Sequence, residues 1–123
     1  MAMTAKSVIP ENIQSLLDRA DRSLSRGQHG EASTFLWKAT EAAIRQAALA
    51  HGHKFASSEY HDVESFVDGL DEQIDPGHGL MGGYLITLEF QANSDGNLLD
   101  LDDVAFYTPA IRSFIIDLLA TTE

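Results

Sequence analysis

The fold is decided by one stretch of the chain, Glu31 to Gly52, which reads EASTFLWKATEAAIRQAALAHG. It is the longest helix-favouring run, and it is rich in alanine, the best helix former. Its core face is indicated by apolar residues at a spacing of three and four, namely Phe35, Leu36, Ala39, Ala43, Ala47 and Ala50. A neighbouring strip carries Trp37, Ile44 and Ala48. Because so wide an apolar surface needs cover on several sides, the stretch is predicted to be the central helix.

A first helix is predicted before the central one, from Pro10 to about Ser25. Proline suits a first helical turn, where its missing N–H costs nothing. Gly27 is predicted to end this helix in the position after the C-cap. The connection to the central helix is then short, which favours an antiparallel helical hairpin. The predicted core stripe of the first helix is Ile13, Leu16, Leu17, Ala20 and Leu24.

Two further helices are predicted after Gly52. The third has Ser57 or Ser58 as its N-cap and ends near Gln73, and the fourth runs from about residue 79 to residue 92. Gly82 and Gly83 would weaken the fourth helix but permit the close approach of another helix, from this chain or from a second subunit. The residues predicted to point inward are Val63, Phe66, Val67 and Leu70, and then Leu80, Tyr84, Leu85, Leu88 and Met81.

The last helix is predicted to run from about Asp103 to Thr121, with Asp100 or Asp102 as its cap. Pro109 lies inside it and predicts a kink or a separate first turn. The sum is an all-α protein, an up-and-down four-helix bundle with a short extra helical turn before the last helix. A single domain over residues 1–123 is expected, with residues 1–8 as a disordered arm.

The composition disfavours disulfide bonds, cysteine metal sites, membrane insertion and non-specific binding of nucleic acid. The chain has no cysteine, so it has no disulfide framework and no thiolate metal site. No apolar run marks a signal peptide or approaches the roughly 20 residues of a membrane helix, so we expect a soluble, cytoplasmic protein without a membrane partner. The net charge of −11 disfavours non-specific binding of nucleic acid, although a local basic patch would still admit RNA.

Three arginines, Arg19, Arg22 and Arg26, lie three or four residues apart on the outer side of the first helix. Asp18 and Asp21 lie beside them, which favours a solvated face with ion pairs. The alternative is a patch for a small anion or for RNA.

The histidines between the central and third helices form a second group of candidates. His51, His53 and His61, with Glu59 or Asp62, have side chains that suit a zinc, nickel or iron site. A polar loop whose histidines cap helix ends or face water is favoured over this metal site, and no cofactor is expected. The aromatic residues Trp37, Tyr60 and Phe55 could stack on a base, although such residues more often lie in a core or a dimer interface.

The order of these segments resembles the HEPN superfamily, in particular its compact stand-alone bacterial and archaeal domains. The resemblance spans most of the chain and rests on helix order and apolar spacing. The second helix of those domains is matched here by Ala32, Leu36, Trp37, Ala39, Glu41 and Ala42. His61, in EYHDVESFVDGL, corresponds to their histidine at the start of the third helix, and DDVAFYTPAIRSFIIDLL to their last helix. The resemblance implies a helical bundle that often dimerises and acts around RNA, as a ribonucleolytic toxin or as the inert partner of a nucleotidyltransferase.

This sequence departs from the catalytic members of that superfamily, which carry an Arg and, four to six residues later, a His near the start of the last helix. Residues 91–108 contain neither, and only Asn93 or Asn97 could correspond to a small polar motif there. The same spacing occurs elsewhere, at Arg45 and His51, but these two residues would point about 240° apart around one helix.

We therefore predict a non-catalytic interaction or regulatory domain of HEPN-like type, a homodimer with a nucleotidyltransferase or toxin-type protein as a further partner. Its interface is expected to use the wide apolar surface of the central helix and the glycine-bearing fourth helix. The alternatives are an RNA-cleaving or nucleotide-processing enzyme and a metal-binding or small-ligand-binding protein. For these alternatives, the catalytic candidates are Arg45, His51 and His61, and the metal candidates are His51, His53 and His61. The candidate ligand-binding residues are Trp37, Arg45, His53, Tyr60 and His61.

Overall fold

The computed structural model describes residues 9–52, 60–74, 80–93 and 98–122, and every regular element in these segments is a helix. Five helices follow one another: α1 (Glu11–Ser25), α2 (His29–Ala50), α3 (Tyr60–Ile74), α4 (Leu80–Ala92) and α5 (Leu101–Ala120). The all-α prediction is confirmed. The predicted arm, residues 1–8, and the predicted caps Ser57 and Ser58 lie outside the described residues. Within the described segments, no helix is long and apolar enough to cross a membrane.

Helix α2 contacts α1, α4 and α5, which confirms its predicted central position. Its small alanine side chains let these three neighbours approach its backbone closely, as dense core packing requires. Ala50 was predicted to be in the core face but is exposed at the last helical position, where the chain leaves the core. The buried residues of α2 are Ala32, Ser33, Leu36, Ala39, Thr40, Ala43, Ile44, Ala47 and Ala48.

The link between α1 and α2 is closed by backbone hydrogen bonds. The Gly27 N–H donates to the Leu24 carbonyl at 3.0 Å, and the Gln28 N–H donates to the Ser23 carbonyl at 2.9 Å. These bonds form a Schellman motif, for which Gly27 supplies a φ of 75° that a side chain would strain. The predicted end of α1 at Gly27 is confirmed, and α2 begins before the predicted Glu31.

Helix α5 begins with a capping box. Asp100 Oδ1 accepts from the Asp103 N–H at 2.9 Å, and Asp103 Oδ2 accepts from the Asp100 N–H at 3.3 Å, so the predicted cap at Asp100 is confirmed. The helix then continues unbroken through Pro109, and the predicted separate turn before the last helix is wrong. Pro109 is exposed, so water can reach the Ala105 carbonyl that the proline leaves without an intrahelical donor.

Helix α4 packs against α5 through Gly83. A Cβ atom at this position would lie 2.8 Å from Cδ1 of Phe114 and 3.0 Å from its Cβ and Cγ atoms, so the contact needs glycine. Further along, the rings of Phe90 and Tyr107 meet edge to face with centroids 6.5 Å apart. Leu85 was predicted to point inward but is 51% exposed, whereas Phe90, absent from the predicted stripe, is fully buried. Because nearly all of α4 is apolar, its sequence pattern does not identify the buried face.

Candidate functional site

Arg45 lies on the exposed side of α2, where its guanidinium forms a salt bridge with Glu41 at 3.6 Å. The two side chains are one turn apart and about half exposed, which is the geometry of an ordinary surface pair. His51 follows six residues later, about 240° further around the helix axis. The structure therefore does not bring the candidate Arg45 and the candidate His51 together.

His51, just after α2, contacts the middle of α3 and the residue that follows α5. Its Nε2 atom lies 3.0 Å from the Thr121 hydroxyl, just after α5. Its ring meets the buried ring of Phe66 in α3 edge to face, with centroids 6.1 Å apart. His51 is exposed at the C-terminal end of α2, and these two contacts hold its imidazole beside α3 and α5.

The remaining candidates are only partly placed. His53 lies outside the described residues, and Tyr60 and His61 lie in the first turn of α3 without described side chains. Trp37 is half-buried on α2. No group of three potential metal ligands occurs among the described residues. Since His53 and the side chain of His61 are not among them, the histidine metal site stays a prediction.

Asn93, just after α4, is fully buried and holds the start of α5 in place. Its Oδ1 atom accepts the N–H groups of Leu98 at 2.8 Å and Leu99 at 2.7 Å. Its Nδ2 group donates to the Ser33 hydroxyl of α2 at 3.0 Å and to the Leu99 carbonyl at 3.3 Å. Both ends of the amide are thus engaged within the protein, so Asn93 acts as a structural link and has no polar atom to offer a substrate.

A cavity of about 240 Å³ lies between the outer side of α1 and the first part of α2. We call it the arginine pocket, and its lining comprises Arg19, Arg22, Ser23, Arg26, Glu31 and Phe35. The Arg19 guanidinium lies over the Phe35 ring, 5.9 Å from its centroid. The buried Ser23 hydroxyl donates to Glu31 Oε1 at 2.7 Å. The pocket therefore combines three cations, one carboxylate and an aromatic wall.

The acidic neighbours of the arginine pocket have other partners. Asp18 accepts from the Gln14 side chain at 2.9 Å, and Asp21 forms an ion pair with Arg112 of α5. In the part of the chain that the structure describes, none of the three pocket arginines has an ion pair or a side-chain hydrogen bond. The ion pairs expected along this face are therefore not formed by the pocket arginines, and Glu31, the carboxylate of the pocket lining, forms no ion pair with them in the described structure.

A second exposed feature runs along α5. We call it the α5 outer face, and its residues are Leu101, Ala105, Phe106, Pro109, Ser113 and Ile116. The Phe106 side chain is 75% exposed, and the segment from Val104 to Ile111 contains no charged residue. The α5 outer face is not the interface that was expected from the sequence, which was on α2 and α4. Ile44 and Ala48 of α2 are buried within the chain, and Gly83 of α4 packs against Phe114 of α5.

Comparison of the chain with protein-family models, with curated proteins and with solved structures finds no match. The resemblance to the HEPN superfamily therefore stays a prediction that rests on the sequence pattern alone.

Proposed function

We propose that this protein is a non-catalytic helical interaction domain of HEPN-like type, built as an up-and-down bundle, and that two copies associate through the α5 outer face. The observation that carries the proposal is the 75% exposure of Phe106 beside the exposed Pro109, in a segment without charged residues that begins after Asp103. Large exposed aromatic side chains with apolar neighbours are typical of protein interfaces. A nucleotidyltransferase or toxin-type protein, as the family resemblance implies, would be the partner of the dimer.

The distribution of charge permits a second copy on this face. Each chain carries a net charge of −11, so two copies repel at long range and can associate only where charge is sparse. The uncharged segment from Val104 to Ile111 meets this condition. A basic partner would instead select a surface rich in carboxylates. Two copies of α5 related by a two-fold axis would bury Phe106 of each chain against the other, in a self-complementary interface.

The enzyme alternative lacks a supporting observation in the described structure. Arg45 is paired with Glu41 on one side of α2, and His51 is packed on Phe66 at its end. Asn93 is engaged in the core. The interaction proposal also accounts for the exposed apolar surface, which a ribonuclease mechanism does not require.

Sedimentation measurements on Phe106→Glu test the dimer. We expect the wild-type protein to sediment as a dimer and Phe106→Glu as a monomer, because the two-fold axis would place two buried carboxylates close together. The matched control is Leu49→Glu, which puts the same charge at a leucine of α2 that is 66% exposed and outside the α5 outer face. This control should remain a dimer.

Two results would contradict the proposal. A wild-type protein that stays monomeric at about 0.1 mM would exclude a dimer of useful affinity. Cleavage of mixed RNA that is lost in both Arg45→Ala and His51→Ala would show that the domain is catalytic. Circular dichroism of each variant separates loss of association from loss of helical structure.

A further inference from the structure

The arginine pocket has no part in the proposed dimer, and its charge is unusual for this protein. Three of the five arginines of an acidic chain line one cavity. Arg22 and Arg26 lie one turn apart near the C-terminal end of α1, where like charges at this spacing repel each other. The helix dipole favours cations at that end, which accounts in part for these two residues. It does not account for Arg19, which lies farther from the end of the helix and over the Phe35 ring.

The polar side chains of Ser23 and Glu31 in the pocket are held in place by a hydrogen bond between them. Ser23 is buried, and its hydroxyl donates to Glu31 across the α1–α2 link, which the Schellman motif at Gly27 closes. The carboxylate of Glu31 is therefore held beside the arginines without an ion pair to any of them in the described structure. An anion that enters the pocket meets guanidinium groups that no described carboxylate pairs with, next to a Glu31 carboxylate that is hydrogen-bonded to Ser23.

We propose that the arginine pocket binds the phosphoryl group of a small phosphorylated molecule. Planar guanidinium groups match the oxygens of a phosphoryl group in paired hydrogen bonds, which makes arginine the usual residue for this ligand. The volume of about 240 Å³ is smaller than that of a typical ligand site, so the pocket holds only one end of a ligand. Phe35 offers an apolar wall to the rest of the molecule. A long polyanion such as RNA is disfavoured, because its other phosphates would face a surface with net charge −11.

Glu31 gives the pocket a preference among anions. A phosphate monoester has a second pKa near 6, so its protonated form carries an O–H that can donate to a carboxylate. Sulfate is of similar size and charge but carries no proton near neutral pH, so its oxygens would be repelled by Glu31. We therefore expect the site to select phosphate over sulfate, with Glu31 as the residue that discriminates between them.

Isothermal titration calorimetry on the whole protein tests the site with four probes: inorganic phosphate, ribose 5-phosphate, adenosine 5′-monophosphate and sulfate. We expect at least one phosphate probe to bind with a dissociation constant of about 1 mM or lower. The comparison of inorganic phosphate with the two esters identifies the source of the phosphoryl group. The double variant Arg22→Gln/Arg26→Gln should weaken binding by about tenfold or more, since two charge-assisted contacts are lost. Arg45→Gln removes one positive charge from an exposed position on α2 and should change affinity by less than about twofold.

Two further variants test the role of Glu31, and a single-stranded RNA tests whether the arginines bind nucleic acid instead. Glu31→Gln should reduce the preference for phosphate over sulfate to about one, while Glu41→Gln, on the exposed side of α2, should leave it unchanged. The absence of saturable binding for every phosphate probe would overturn the proposal, and so would equal weakening by Arg45→Gln. Tighter binding of a single-stranded RNA than of any monoester would assign the arginines to nucleic acid. Because the pocket lies on α1 and α2, these results are independent of the state of association measured with Phe106→Glu.

Discussion

Asn93 ties the residues just before α5 to helix α2. Its amide bridges Ser33 in α2 and the backbone at Leu98 and Leu99, and it does so at a fully buried position. Loss of one partner of a buried hydrogen bond lowers stability, because the remaining polar group is neither hydrogen-bonded nor hydrated. The bridge joins residues 60 positions apart, so no local sequence pattern reveals it.

Replacing Asn93 by alanine should therefore destabilise the protein strongly. The change leaves the Leu98 and Leu99 N–H groups without their acceptor, and we expect a loss of about 2–4 kcal/mol in the free energy of unfolding. Urea unfolding at one fixed protein concentration measures it, since association would shift the apparent value. Gln46→Ala removes an exposed amide from α2 and should cost less than about 0.5 kcal/mol. Equal losses in the two variants would show that the bridge contributes little.

Two adjacent glycines decide the packing of helix α4. Gly83 lies against Phe114 of α5, whereas a Cβ atom at Gly82 would meet nothing within 4 Å. Gly82→Ala should stabilise the protein by roughly 0.5–1 kcal/mol, through helix propensity alone. Gly83→Ala gains the same propensity but overpacks the contact, which costs about 1–3 kcal/mol. Thermal unfolding should therefore rank Gly82→Ala above wild type and Gly83→Ala below it. Stabilisation by both changes would mean that α4 can move away from Phe114 freely.

The same elements show what the sequence could predict. Helix ends were predictable where one residue acts locally, as Gly27 does through its φ of 75° and Asp100 through its carboxylate. The buried face of α4 was not predictable, since Leu85 and Phe90 are both strongly apolar. Only the position of α5 determines that Phe90 is buried and Leu85 exposed. The three arginines of α1 were visible in the sequence, but whether Asp21 pairs with them was not. Asp21 instead pairs with Arg112, which lies on another helix.

At the scale of the whole molecule, the net charge of −11 gives the two proposed sites opposite responses to salt. Salt screens the repulsion between two copies, so dimerisation should strengthen between about 0.05 M and about 0.5 M salt. The same screening weakens the attraction of the arginine pocket for a phosphate. Sedimentation and calorimetry across one salt series measure both trends. A dimer that weakens with salt would indicate that ion pairs, and not the apolar α5 outer face, hold the copies together.

The link of three residues between α1 and α2 also bears on the order in which the molecule assembles. Contacts close in sequence form quickly, because little chain entropy is lost when a short loop closes. All residues of the arginine pocket lie between Arg19 and Phe35, within one helical hairpin. The Asn93 bridge to Ser33, in contrast, must wait for a much larger loop to close. We therefore expect the pocket to take shape among the earliest contacts of folding, and the start of α5 to be fixed among the last.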